Sequence, residues 1–143
     1  NTLETLLAKR IVPIINENDS VATDEIQFGD NDILTSIVAQ LTRIDLVVFL
    51  TDTHGVYDKD PVKHQDASLI SHLPDISNDL IDQTLDAYDV KGKGGMKSKL
   101  IAAKACHDND IPVVIAHGRH ASLSLEDIII NKKSGTWIHP VQD

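Results

Sequence analysis

Four short polar clusters hold the residues best suited to chemistry. Asn16-Glu17-Asn18-Asp19 puts amide donors and carboxylate acceptors into one turn, a mixture that can hold an ammonium group and a carboxylate together. Gly29-Asp30-Asn31-Asp32 opens a helical pattern, where carboxylates complement the helix dipole and cap N–H groups. Three acidic or amide residues exceed what capping requires, so Asp32 is available to orient a lysine or a metal-bound phosphate. Thr51-Asp52 can hydrogen-bond a nucleotide or cap a turn. Gly92-Lys93-Gly94-Gly95 precedes a helix carrying Lys97 and Lys99; glycine-released backbone N–H groups, a helix N-terminus and ammonium groups together favour an anion. Its spacing is not that of the Gly-x-x-x-x-Gly-Lys-Ser/Thr phosphate loop. Each cluster also has a plain structural alternative: a solvated loop, an N-cap, a turn and a flexible glycine linker.

The elements that must position these clusters alternate along the chain. Thr2 to Arg10 has leucines at helical spacing and runs into Ile11-Val12-Pro13-Ile14-Ile15, a short β-branched run that reads as a buried parallel strand. Ile33, Leu34, Ile37, Val38 and Leu41 share one face of a helix over 30–41, with Asp30 or Asn31 as its N-cap. Leu46 to Leu50 and Pro112 to Ala116 read as two more strands, and helices are expected around Leu80 to Tyr88 and from Met96 to about Asp108. The charged stretch from Val56 to Ser68, with Pro61, reads as a surface excursion. Strands alternating with amphipathic helices predict a three-layer α/β/α sandwich around a mainly parallel sheet, with ligands at the carboxyl ends of the strands. Two of the four polar clusters, 16–19 and 51–52, directly follow those strands, and the other two open helices.

Composition narrows the function classes. The 143 residues carry 13 Lys and Arg against 22 Asp and Glu, a formal charge of −9 that repels a phosphate backbone, so nucleic-acid binding is disfavoured. Aromatic residues are too scattered for a single-strand stacking platform. Leu46 to Leu50 is the longest apolar run, far short of the ~20 residues that span a bilayer. Cys106 is the single cysteine, which excludes a disulfide framework, and no signal-like segment opens the chain, so a cytoplasmic setting is expected. His54, His64, His72, His107, His117, His120 and His139 form no zinc spacing with cysteine and read as surface or loop residues. The chain opens on Asn1 and its one methionine is Met96, so a piece of a longer protein is expected.

Taken together, Ile11 to Asp19, Gly29 to Asp32 and Leu50-Thr51-Asp52, in that order and spacing, closely resemble glutamate 5-kinase, a branch of the amino-acid kinase superfamily. Gly55-Val56-Tyr57 with Asp60-Pro61, Gly94-Gly95-Met96 with Lys99 three residues on, and Gly135-Thr136 resemble the same family. The resemblance implies transfer of the ATP γ-phosphoryl group to the side-chain carboxylate of L-glutamate, with Mg2+ bridging the ATP phosphates. It implies that Asn16, Asn18, Asp19 and Asn31 bind glutamate and that Asp32 organises the catalytic groups. Thr51, Asp52, Gly92, Lys93, Gly94, Gly95, Met96, Lys97, Ser98 and Lys99 would contact ATP, and Lys99 would neutralise charge on the transferred group. A homo-oligomer, dimer or tetramer, is usual in the family.

Two departures bear on that carry-over. Lys93 stands where the family usually has threonine. The family's opening strand with its lysine and glycine-serine phosphate loop, much of the acceptor lobe and the C-terminal PUA domain have no counterpart in this sequence, so residues 1–143 read as a partial kinase domain. Rival readings are a relative acting on acetylglutamate, aspartate, UMP or carbamate, and a non-catalytic nucleotide-binding or oligomerising domain.

Overall fold

A computed structural model of the chain describes residues 2–16, 30–87, 95–119, 124–132 and 134–139, with backbone alone at 30 and 83–87. The elements in order are α1 (Thr2–Ala8), α2 (Asp30–Leu41), β1 (Val47–Thr51), β2 (His72–Leu73), α3 (Asn78–Ala87), α4 (Met96–His107), β3 (Val113–His117), α5 (Leu125–Ile129) and β4 (Thr136–Ile138). The four strands form one sheet in the order β1-β3-β4-β2. β1 and β3 run parallel with Val47 opposite Val113 and Thr51 opposite His117. β2 and β4 are also parallel, and β3 and β4 are antiparallel. The mainly parallel sheet expected from the apolar runs is therefore present, with one antiparallel seam.

Period-2 alternation divides the strand residues between two faces. Val47, Phe49, Val113, Ile115 and Ile138 join the larger core with Ala39 of α2, Ile81 of α3 and Leu100, Ala102, Ala103 and Cys106 of α4. Val114, Ala116 and Trp137 face the other way onto Ile128 of α5. Helices thus cover both faces, giving the three-layer α/β/α arrangement. α5 is started by a capping box: Asp127 N–H donates to Ser124 Oγ at 3.1 Å, and Ser124 N–H donates to Asp127 Oδ2 at 3.2 Å. On this face Lys132 Nζ lies 5.0 Å from the Trp137 ring centroid, and His139 stacks on that ring. Burial, with Lys132 and His72 nearby, lowers the pKa of His139.

One expectation about the elements needs correction. Residues 11–15 do not form a buried strand: they pair with no ladder among the described residues, and Val12 and Ile14 are 84% and 97% exposed. An apolar β-branched run signals burial only if a neighbour supplies the ladder. Pro13 at its centre has no N–H to contribute, and Arg10 just before the run takes a φ of 59° that turns the chain out of α1. α2 is described from Asp30 onward, and the expected N-cap at Asp30 or Asn31, which depends on the residues before it, lies outside the described residues.

The excursion after β1 is tied down rather than loose. The Thr136 hydroxyl donates to Ile70 O at 2.6 Å and accepts from Val56 N–H at 2.8 Å, so one buried side chain closes the loop at both ends. Gly55 passes so close that an added Cβ would meet Thr136 Oγ1 at 2.6 Å, and its φ of +149° suits glycine. Asp60, 2% exposed, accepts from Val62 N–H at 2.8 Å. Replacing Thr136 with valine keeps the shape and orphans Val56 N–H and Ile70 O; urea unfolding should show a loss of about 1–3 kcal/mol, and an unchanged midpoint would contradict this closure. Cys106 is fully buried, and burial pushes its thiol up to about 11. The folded state keeps that proton while the unfolded chain, at the ordinary value of 9.0, releases it, so stability should fall as pH rises from about 9 to about 11. At about pH 8 a thiol reagent should label Cys106 only after denaturant is added; fast native labelling would contradict the burial.

Candidate active site

The parallel pair β1 and β3 ends at Thr51 and His117, in register. α2 and α4 each lead into one of these strands through a short connection, so they run back along the sheet and bring their N-termini over its carboxyl edge. Four chemically competent positions therefore converge there: the start of α2, the start of α4, and the two strand ends.

The start of α2 meets the start of α4 through Asp32. Its Oδ2 accepts from Lys99 Nζ at 3.2 Å and from Ser98 Oγ at 2.5 Å. The Asp32 and Lys99 side chains are each 16% exposed, shielded enough for their attraction to escape most solvent screening. α4 has no acidic residue in its first turn, and its N-cap, Gly95, makes no side-chain capping bond. Among the described residues, a Cβ on Gly95 would meet nothing within 4 Å. The positive end of α4 thus has the ammonium of Lys99 beside it, a combination that favours an anion.

Beside Asp32, Asn31 and Asn16 line one pocket of about 170 Å³ with Ile15, Leu34, Thr35 and Val38. Two residues 15 positions apart in the sequence, both expected to hold an acceptor, are brought together on the outer side of α2. The segment that failed to enter the sheet is what delivers Asn16 there. A larger cavity of about 360 Å³, bounded by Gln40, Arg43, Asp45, Asn109 and Asp110, lies at the opposite ends of α2 and α4 and contains none of the expected site residues.

At the strand ends, Thr51 Oγ donates to Asp52 Oδ1 at 3.2 Å. Gly118 N–H donates to Thr51 O at 2.8 Å, joining the loops that follow β1 and β3. Arg119 N–H donates to His117 Nδ1 at 2.9 Å, and the His54 ring lies 5.0 Å from that of His117. Sequence reasoning placed both histidines on loops or the surface; His117 instead ends a central strand at the candidate site, a position legible only from strand register. His107 is likewise no surface residue: its side chain is 9% exposed at the end of α4.

The remaining expected site residues divide three ways. Met96 is 6% exposed and joins the core, so it can reach the site only through its backbone. Lys97 is partly buried on the first turn of α4, and the Ser98 hydroxyl is directed at Asp32. Asn18, Asp19, Gly92, Lys93 and Gly94 lie outside the described residues. No helix among the described residues is long and apolar enough to cross a membrane.

This arrangement, a mainly parallel sheet with two helix N-termini and a Lys–Asp pair over its carboxyl edge, has known relatives. The profile of the amino acid kinase family matches residues 1–117, and the chain belongs to that family. It is 44% identical over 140 residues to a glutamate 5-kinase of Marinomonas sp. strain MWYL1, covering 98% of this chain and 37% of that protein. It is 40% identical over 142 residues to a glutamate 5-kinase of Clostridium tetani, covering 99% and 53% respectively. The chain therefore spans between about two fifths and about half the length of these relatives. Among solved structures, the UMP kinase of Ureaplasma parvum superposes with a TM-score of 0.66 at 19% identity, over 96% of this chain and 52% of that one. A carbamate kinase of Giardia lamblia bound to AMP-PNP gives 0.55 at 22% identity, over 77% and 35%. These two likenesses establish the fold.

Proposed function

We propose that this chain is the nucleotide-binding portion, with part of the acceptor site, of a cytoplasmic, homo-oligomeric enzyme that transfers the γ-phosphoryl group of ATP to the side-chain carboxylate of L-glutamate, the first step toward proline. The observation that carries the reading is the Asp32–Lys99 pair, which joins the helix bearing the Asn16–Asn31 pocket to the helix whose N-terminus favours an anion. Identity of 44% and 40% to glutamate 5-kinases supports glutamate over the other acceptors of the family.

Phosphoryl transfer asks a protein mainly for positioning and for charge stabilisation. Lys99 supplies the second: an ammonium has three donors, Asp32 takes one, and the others serve the oxygens of the transferred group. Asp32 organises that ammonium. The α4 N-terminus and the glycine turn from Gly92 to Gly95 receive the ATP phosphates, while Thr51 and Asp52 contact the nucleotide at the end of β1. Asn16 and Asn31, with Asn18 and Asp19, hold the α-amino and α-carboxylate groups of glutamate so that its side-chain carboxylate meets the γ-phosphorus. Mg2+ would neutralise the ATP phosphates; exposed Asp52 offers the hard oxygen donor that this ion prefers, directly or through water.

Coupled ADP release from the full-length protein should be fastest with L-glutamate among glutamate, aspartate, acetylglutamate, UMP and carbamate. No preference for glutamate would overturn the acceptor assignment, and nucleotide binding without turnover would favour a non-catalytic domain. In the same assay Lys99→Ala should lower turnover about 100-fold or more with the KM for glutamate within about threefold. Unchanged turnover would move the role to Lys97 or Lys93.

A further inference from the structure

Ser98 stands in the first turn of α4, and it is 2% exposed. Its Oγ lies 2.5 Å from Asp32 Oδ2 and 3.2 Å from Gly95 O. A hydroxyl has a single proton, and the closer, ionised oxygen is the stronger acceptor, so the proton goes to Asp32. Asp32 Oδ2 then receives two donors of different character: a long flexible ammonium at 3.2 Å and a short buried hydroxyl on a rigid helix turn.

The two donors have different mechanical effects. A lysine has a four-carbon stem with many rotamers, so an ion pair with Lys99 alone would let the Asp32 carboxylate turn about its broad terminal torsion and carry the ammonium with it. The Ser98 hydroxyl has no such reach. Held by the packing of Met96 and Leu100 on either side of it in α4, it fixes the carboxylate at one point. Asp32 follows Asn31, which lines the acceptor pocket, and Ser98 precedes Lys99. The hydroxyl also adds no charge, so it leaves the Lys99–Asp32 attraction undiminished, as a second cation would not.

From this geometry we infer that Ser98 is a positioning residue: its hydroxyl pins the Asp32 carboxylate, so that the acceptor pocket on α2 and the ammonium on α4 keep one separation during transfer. The inference builds on the kinase reading of Lys99 and Asp32. It assigns the Ser98 hydroxyl a part in the transfer step through Asp32.

The test is steady-state kinetics on the full-length protein, with Ser98→Ala, Ser98→Cys and Ser98→Thr. Alanine removes the donor, cysteine keeps the volume with a weak donor, and threonine keeps the hydroxyl. Alanine and cysteine should lower kcat about 10- to 100-fold, the range expected when a positioning contact is lost, with KM for glutamate and ATP within about threefold. Threonine should keep kcat within about threefold of the parent. Cysteine serves if alanine folds poorly, and the nucleotide Kd by calorimetry should be unchanged in every folded variant. A kcat within about twofold of the parent in the alanine or cysteine variant, a loss appearing in KM, or failure of threonine to recover kcat would overturn the inference while leaving the kinase reading intact. A parent protein with no ATP-dependent turnover would overturn the kinase reading, and this inference with it.

Discussion

Two helices that start side by side over one sheet edge bring two positive dipole ends together, each worth roughly half an elementary charge. Something negative must sit between them, and in this chain it is the Asp32 carboxylate, which faces α4 from the first turn of α2. α4 brings no acid of its own to that turn. One carboxylate therefore does three things: it compensates the helix ends, binds the Lys99 ammonium, and takes the Ser98 hydroxyl. Everything proposed for the site follows from where that carboxylate is held.

The fold holds it by packing rather than by local preference. Ala39 on α2 and Ala102 and Ala103 on α4 are small and buried, which lets the two helices lie close against Val47, Phe49, Val113 and Ile115. The register of β1 on β3, with Thr51 opposite His117, sets both strand ends at one level beneath the helix starts. Thr136 fastens the loop after β1 from the far side of the sheet. The pocket lined by Asn16 and Asn31 and the N-terminal end of α4 both depend on how α2 and α4 pack, so a change in helix spacing would be felt at both.

The parts of this arrangement visible in the sequence are those with a repeating local signal. The apolar runs at 46–50 and 112–116 mark β1 and β3 within a residue, and helical spacing marks α2 and α4. β2 and β4, at two and three residues, are too short for alternation to register. α5 was legible after all, since Ser124-Leu125-Glu126-Asp127 before an apolar run is the signature of a capping box. The run at 11–15 shows the opposite failure: composition signals a strand, but pairing is a tertiary fact, and Pro13 weakens the ladder it would need. At the site, the sequence marks Asp32 as a surplus carboxylate at a helix start, and the family resemblance marks Lys99. It cannot show that the hydroxyl of Ser98, 66 residues from Asp32, lies against the Asp32 carboxylate.

The central claim is that Asp32 and Lys99 act as one unit in phosphoryl transfer, and a double-mutant cycle on kcat tests it most directly. Asp32→Asn, Lys99→Met and the double variant would be compared in the full-length protein under saturating glutamate and ATP. Residues that act as a unit are strongly non-additive, so the double variant should be within about threefold of the slower single variant. Losses that multiply would show that the two side chains contribute independently, and would contradict a shared role at the junction of α2 and α4.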